Sequence, residues 1–176
     1  HIRAVDRLLF SECPSARVSL PGGFSAQREY DRLLLTAGSP AAFEPVTLLA
    51  GESAVLQPLG LRVCCEWQEN FSEIQNTLST FAVKCDTIGS TTQILFRPRR
   101  THDEMRVSGG RKTLKKLMID RKIPLDRRDL LPVAADEHGI LGVYGIGVNL
   151  DRAAAPGDRA VIIRIEELEK EDSLYD

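Results

Sequence analysis

The 176-residue chain is 43% hydrophobic and 27% charged, with a formal net charge of −2 at pH 7. Those proportions fit one or two globular domains with a buried core. No apolar run reaches the roughly 18 residues a membrane helix needs, and no charged segment leads into an apolar one, so neither a membrane span nor a signal peptide is read here.

Ile2, Val5, Leu8 and Leu9 recur at helical spacing, and His1 stands where a Met would begin a chain, so the chain reads as a piece of a longer protein whose helical domain ends at residues 1–14. A β-rich segment is expected over 15–90. It opens with ARVSLPGGFSAQREYDRLLL, whose alternation around Pro21-Gly22-Gly23 predicts a β-hairpin. GSPAAFEP at 38–45 reads as a linker, followed by a strand over Val46–Ala50. LRVCCEWQ places Leu61, Val63, Cys65 and Trp67 on one face of a half-buried strand. Residues 69–92 carry weak signals, with a short strand around Phe81–Cys85 and no expected function.

A C-terminal domain is expected over 91–168. After a strand at Gln93–Arg97, a helix is expected from about Arg111 to Arg121, with Leu114, Leu117 and Met118 on one side and Lys112, Lys115 and Lys116 on the other. DEMRV before it is a poor strand. Pro124 is expected to open a second short helix, PLDRRDLL, because proline suits the first helical position. LLPVAA, ILGVYGIGV and RAVIIRI follow as strands, and 169–176 is an acidic tail. The fold class is therefore α+β, with a mixed sheet and two short helices in the C-terminal domain, preceded by a helix end and a β-hairpin segment.

Cys13, Cys64, Cys65 and Cys85 include no C-x-x-C pair, and no histidine lies at metal-ligand spacing from them. Free thiols in a cytoplasmic protein are the expectation, with one of Cys64 and Cys65 buried and the other exposed. No metal or cofactor is assigned to these residues.

Charge is distributed unevenly. Residues 1–96 carry a net −3, residues 97–128 a net +8, and residues 129–176 a net −7. A block so basic between two acidic ones is where a polyanion would dock. SGGRKT at 108–113 resembles the start of a nucleotide loop, but Arg111 separates Gly110 from Lys112, so a Walker loop fails. An ATP-pyrophosphatase loop would need Asp or Ser at Lys112. His102-Asp103 lacks a nucleophile and reads as a surface turn. GIGVNLD lacks the third glycine of a dinucleotide loop and is assigned to backbone geometry. The residues left to bind a polyanion are Arg97, Arg99, Arg100, Arg111, Lys112, Lys115, Lys116, Arg121, Lys122, Arg127 and Arg128.

The run from Ile94 to Arg152 closely resembles the C-terminal domain of bacterial tRNA(Ile)-lysidine synthetases. The resemblance lies in an R-x-R-x-x-D pattern at Arg97, Arg99 (shifted with Arg100) and Asp103. It continues in K-x-L-K-K-L from Lys112 to Leu117, in D-x-K-[IV]-P from Asp120 to Pro124, and in a final proline at Pro132. LPGGFSAQREYDRLLL is similar to the hairpin segment that follows the helical middle domain of these enzymes. The chain departs from the pattern at His102, where the family usually has Gly, and at Glu104, where a basic residue is common. The resemblance implies binding of tRNA(Ile), with the acceptor stem as the contact. It also implies ATP and Mg²⁺ in a catalytic domain outside this sequence, which adenylates the anticodon cytidine and joins lysine to it; these residues alone are expected to be inactive. A second reading is a protein-interaction module without RNA affinity, forming a homodimer through the basic block and the acidic 129–176 region of another copy.

Overall fold

In a computed structural model of the chain, the described residues are 2–11, 16–20, 24–29, 31–37, 43–85 and 92–168. The expected turn Pro21-Gly22-Gly23, most of the 38–45 linker, Cys13 and the 169–176 tail lie outside them. Contacts divide the chain into two units, His1–Ala41 with Pro124–Arg127, and Ala42–Ile123 with Arg128–Asp176.

In the first unit, the apolar residues at helical spacing form α1 (Ile2–Leu9), which buries Leu8 and leaves Leu9 48% exposed. Three strands, β1 (Arg17–Ser19), β2 (Phe24–Glu29) and β3 (Arg32–Ala37), make an antiparallel meander in that order. The expected hairpin is its first half. Arg28 of β2 closes the end of α1, donating from Nη1 to Leu9 O at 3.0 Å and to Ser11 O, so two terminal carbonyls gain a cationic donor.

In the second unit, alternation builds two sheets that face each other. One has the order β13–β12–β11–β8–β4, formed by β4 (Val46–Leu49), β8 (Gln93–Arg97), β11 (Val133–Asp136), β12 (Gly139–Val143) and β13 (Gly147–Val148). The other runs β5–β6–β14–β7, from β5 (Ser53–Leu56), β6 (Leu61–Gln68), β7 (Thr80–Lys84) and β14 (Ala160–Glu167). Leu61, Val63 and Cys65 of β6 point inward as their spacing predicts, meeting Phe81, Val161 and Ile163 from their own sheet and Ile94, Phe96 and Leu141 from the opposite one. Trp67 packs at the edge of this core. β12 passes so close to the other sheet that a Cβ on Gly142 would sit 2.5 Å from Phe81 Cε2, which only glycine avoids.

Every strand pairing among the described residues is antiparallel. The expected mixed sheet is therefore corrected: each sheet is purely antiparallel, and even α2, which lies in the connection from β8 to its neighbour β11, joins an antiparallel pair. The chain is mostly β-sheet with two α-helices among the described residues. The expected boundary at 90/91 falls within the sandwich, since β4 pairs with β8 and β7 with β14.

Two further corrections concern the basic block. The helix expected from Arg111 starts later, because Gly110–Thr113 is strand β10, paired with β9 (Glu104–Val107). Ser108-Gly109 is the turn of this hairpin, and Gly110 follows it at φ 98°, the left-handed position that closes such turns. Thr113 then ends the strand in an extended conformation and accepts from Lys116 N at 3.3 Å, making it the N-cap of α2 (Leu114–Asp120). The second expected helix is absent. Pro124–Arg127 makes one turn with Arg127 N donating to Pro124 O at 3.1 Å, and Arg128–Leu130 is a single 3-10 turn. The segment makes single i→i+3 turns that no i→i+4 ladder continues, so the cost of a first helical turn is not offset by propagation.

The hairpin and α2 cover the outer face of the five-stranded sheet. Met105, Leu114, Leu117 and Met118 pack there on Val133, Ile140, Val143 and Ile146. Asn149, 8% exposed, ties them in: its Nδ2 donates to Ile140 O at 2.7 Å and its Oδ1 accepts from Arg106 N at 3.0 Å. α2 ends in a Schellman motif, with Ile123 N donating to Met118 O and Lys122 N to Ile119 O, both at 2.9 Å. Lys122 takes the left-handed position of that motif at φ 55°.

Candidate nucleic-acid interface

The hairpin–helix layer carries most of the basic block, and the structure sorts its cations by what they already touch. Arg97 lies on the outer face of β8, opposite Ile94 and Phe96 and paired with Val133, and is 6% exposed. Its Nη1 and Nη2 donate to Asp103 Oδ2 and Oδ1 at 2.7 and 2.9 Å, and Nη1 also reaches Pro98 O at 3.0 Å. Asp103 further accepts from Arg100 N at 2.6 Å. This pair fixes the 98–103 loop, and with Asp103 so engaged, His102-Asp103 is no catalytic dyad. His102 is exposed at φ 72°, a backbone position that explains why glycine suits it.

Arg111 and Arg106 stand opposite each other across the hairpin, where like charges repel. Carboxylates separate them. Arg111 donates to Glu104 at 3.1 Å and Asp151 at 2.7 Å, while Arg106 lies 3.7 Å from Asp151. The hydrogen bond to Glu104 and the charge of Asp151 raise the Arg111 pKa above its ordinary value. Lys112, placed on β10 rather than on the helix, shares Asp120 with Lys116, at 3.1 and 3.6 Å. The hydrogen bond from Lys112 leads the causes that hold Asp120 below the usual carboxylate range. The expected single helical face of Lys112, Lys115 and Lys116 is thus split between a strand and a helix.

Other cations keep their charge uncompensated. Arg121 donates to Gly145 O at 3.2 Å and Arg128 to Ile123 O at 2.8 Å, both neutral acceptors. Arg100, Lys115 and Lys122 are exposed and have no ion-pair partner among the described residues. Arg99 is paired with Asp129 at 2.7 Å. Arg127 belongs to the other unit. Arg106, 57% exposed, was missed from sequence although it lies inside the basic block; DEMRV read as a poor strand hid its outward position.

Part of the acidic region is already paired within its own unit, while Glu137 and Glu166 are exposed. Asp129, Asp136, Asp151 and Asp158 are each engaged by a cation of the same unit, Arg99, Arg152, Arg111 and Lys84 respectively. Among the described residues no group of three His, Cys, Asp or Glu is placed to hold a metal ion, and no helix is long and apolar enough to cross a membrane. Cys64 is half-buried, and Cys65 and Cys85 are buried, all three as free thiols. Burial pushes the Cys65 thiol up to about 12, which makes it a poor nucleophile.

Residues 94–166 match the family model described as the TilS substrate C-terminal domain. The tRNA(Ile)-lysidine synthase of Geobacillus kaustophilus is 30% identical over 167 residues, 93% of this chain and 36% of that protein. A bifunctional protein TilS/HprT of Listeria monocytogenes is 30% identical over 171 residues, 93% of this chain and 26% of that protein. The chain therefore spans about a third or less of the length of these relatives. Among solved structures, a TilS C-terminal domain crystal structure aligns with a TM-score of 0.54 and 23% identity, over 72% of this chain and all of that one, which shows a shared fold.

Proposed function

Residues 94–166 are a TilS substrate C-terminal domain of the tRNA(Ile)-lysidine synthase family, and from that premise we propose that the chain binds tRNA(Ile) through its hairpin–helix layer. In the full synthase, in the cytoplasm, this binding positions the tRNA while a catalytic domain uses ATP and Mg²⁺ to attach lysine to the anticodon cytidine. The observation that carries the reading is the exposed charge of Arg100, Lys115 and Lys122, which have no ion-pair partner among the described residues, together with Arg121 and Arg128, whose side-chain hydrogen bonds go to carbonyls.

Phosphate is the natural complement of such a surface, since each neutralised phosphate releases counterions. Residues 97–128 contain no Trp, Tyr or Phe on which bases could stack. That favours an A-form helix, met through its backbone and shape, over a single strand, and the acceptor stem supplies one. Binding of tRNA(Ile) and a non-cognate tRNA at several salt concentrations tests the proposal. If about four to six phosphates are engaged, log K against log salt has a slope of about −3 to −5. A salt-independent or absent interaction, with the chain folded, overturns it.

A further inference from the structure

Around the 98–103 loop the charges do not balance. Arg99, Arg100 and Lys115 line one groove together with His102, Asp103 and Asp129. Asp103 is already committed to Arg97, the two side chains being 11% and 7% exposed. Among the described residues lining the groove, Asp129 alone remains to offset three cations. Its Oδ1 accepts from Arg99 Nε at 2.7 Å, yet 62% of the Asp129 side chain is exposed against 23% for Arg99.

This arrangement couples a well-held arginine to a loosely held carboxylate. The Arg99 guanidinium is confined by its surroundings, whereas Asp129 extends into solvent from a single 3-10 turn. An ion pair with one partner so exposed is weak. A phosphodiester offers Arg99 a charge-assisted replacement and gives Arg100 and Lys115 an anion they lack.

We propose that this groove accepts one phosphodiester of the RNA backbone and that Asp129 is its internal counter-ion, holding Arg99 in place in the free protein and leaving it when the phosphate enters. The proposal rests on the RNA-binding reading above. It makes Asp129 a selectivity device. A lone anion must compete with a carboxylate that never diffuses away, while a backbone already anchored by neighbouring cations presents its phosphate at high effective concentration. RNA of the wrong shape, unable to reach the groove while anchored, leaves the Arg99–Asp129 pair closed.

The test measures tRNA(Ile) binding by the 176-residue chain, as wild type, Asp129→Asn, Arg99→Ala and the double variant, at four salt concentrations, with circular dichroism confirming the fold. Asp129→Asn is expected to bind about three- to tenfold tighter and to steepen the salt slope by about one, because no displaced carboxylate takes up a cation. In the Arg99→Ala background the same substitution is expected to change affinity less than about twofold, as a pairwise coupling requires. Equal affinity and slope for wild type and Asp129→Asn overturn the proposal. So does an undiminished gain in the Arg99→Ala background, which would make Asp129 a general repulsive charge. Asp129→Gln serves as a second variant if the Asn form is unstable. A wild-type chain without salt-dependent affinity defeats the interface reading itself, whereas an unresponsive Asp129 in a chain that binds defeats this inference alone.

Discussion

Arg97 and Asp103 form a two-pronged ion pair at 2.7 and 2.9 Å, almost closed to solvent, at the end of a core strand. Removing either partner strands the other charge. Arg97→Ala and Asp103→Ala are each expected to cost about 3–5 kcal/mol in urea unfolding. The double variant should cost less than the sum of the two. Additive costs would mean that the pair does not hold the 98–103 loop.

His102 and Lys122 occupy left-handed backbone positions, at φ 72° and 55°. Glycine relieves the clash of a Cβ there but loses more freedom on folding, so the net gain is small. His102→Gly and Lys122→Gly are each expected to stabilise by about 0.5 kcal/mol, and His102→Val to destabilise by about 1–2 kcal/mol. Thermal unfolding of the three variants checks the order.

Asn149 joins the hairpin to the sheet through bonds to Ile140 O and Arg106 N. Asn149→Ala leaves both groups short of a partner and is expected to cost about 1–3 kcal/mol. Amide hydrogen exchange should quicken first across 104–113, ahead of β6 and β14. Uniform loss of protection would show that the hairpin has no separate anchorage.

Burial alone would raise the Asp136 pKa, but bonds from Arg152 and from the His138 backbone N–H, the latter at 2.8 Å, outweigh it and hold the carboxyl below its ordinary value. A depressed folded pKa means that the stabilisation is complete above the unfolded value of about 3.9 and is lost as pH falls through the folded one. Asp136→Asn should therefore lower stability at pH 7, and the difference from wild type shrinks as pH falls below the unfolded value of about 3.9. A gap that is constant with pH would rule this out.

Lys115 has no ion-pair partner among the described residues, whereas Lys116 lies 3.6 Å from Asp120. Lys115→Ala should flatten the salt slope of tRNA binding by about one, Lys116→Ala by less, and the double variant by one to two. Both positions are exposed helix, so folding is retained. Leu117→Ala, at a buried position, should instead cost about 2–5 kcal/mol and act on binding through folding alone.

Much of this molecule is legible from neighbours in sequence. Alternation in LRVCCEWQ foretells a strand whose inward residues Leu61, Val63 and Cys65 are those observed, because a period of two is a local property of extended backbone. RAVIIRI is a strand as expected, whereas ILGVYGIGV, read as one strand, turns at 144–146 and becomes β12 and β13. The charge of 97–128 is a sum over residues and needs no fold. The helix start at Thr113 had a signal, a capping hydroxyl before an apolar run, that the lysine spacing masked. Other features lie beyond any local reading. Strand β10 is held by β9 and by the packing of Met105 and Met118 on the sheet beneath, which override the helical spacing of Lys112 with Lys115 and Lys116. The burial of Arg97 follows from its place on the outer face of β8, beneath the loop that Asp103 closes. Arg99 meets Asp129 from 30 residues away, and Arg111 meets Asp151 from 40. Charges so separated combine only when the chain folds, so which cations remain free for phosphate is a property of the packed sandwich and its outer layer.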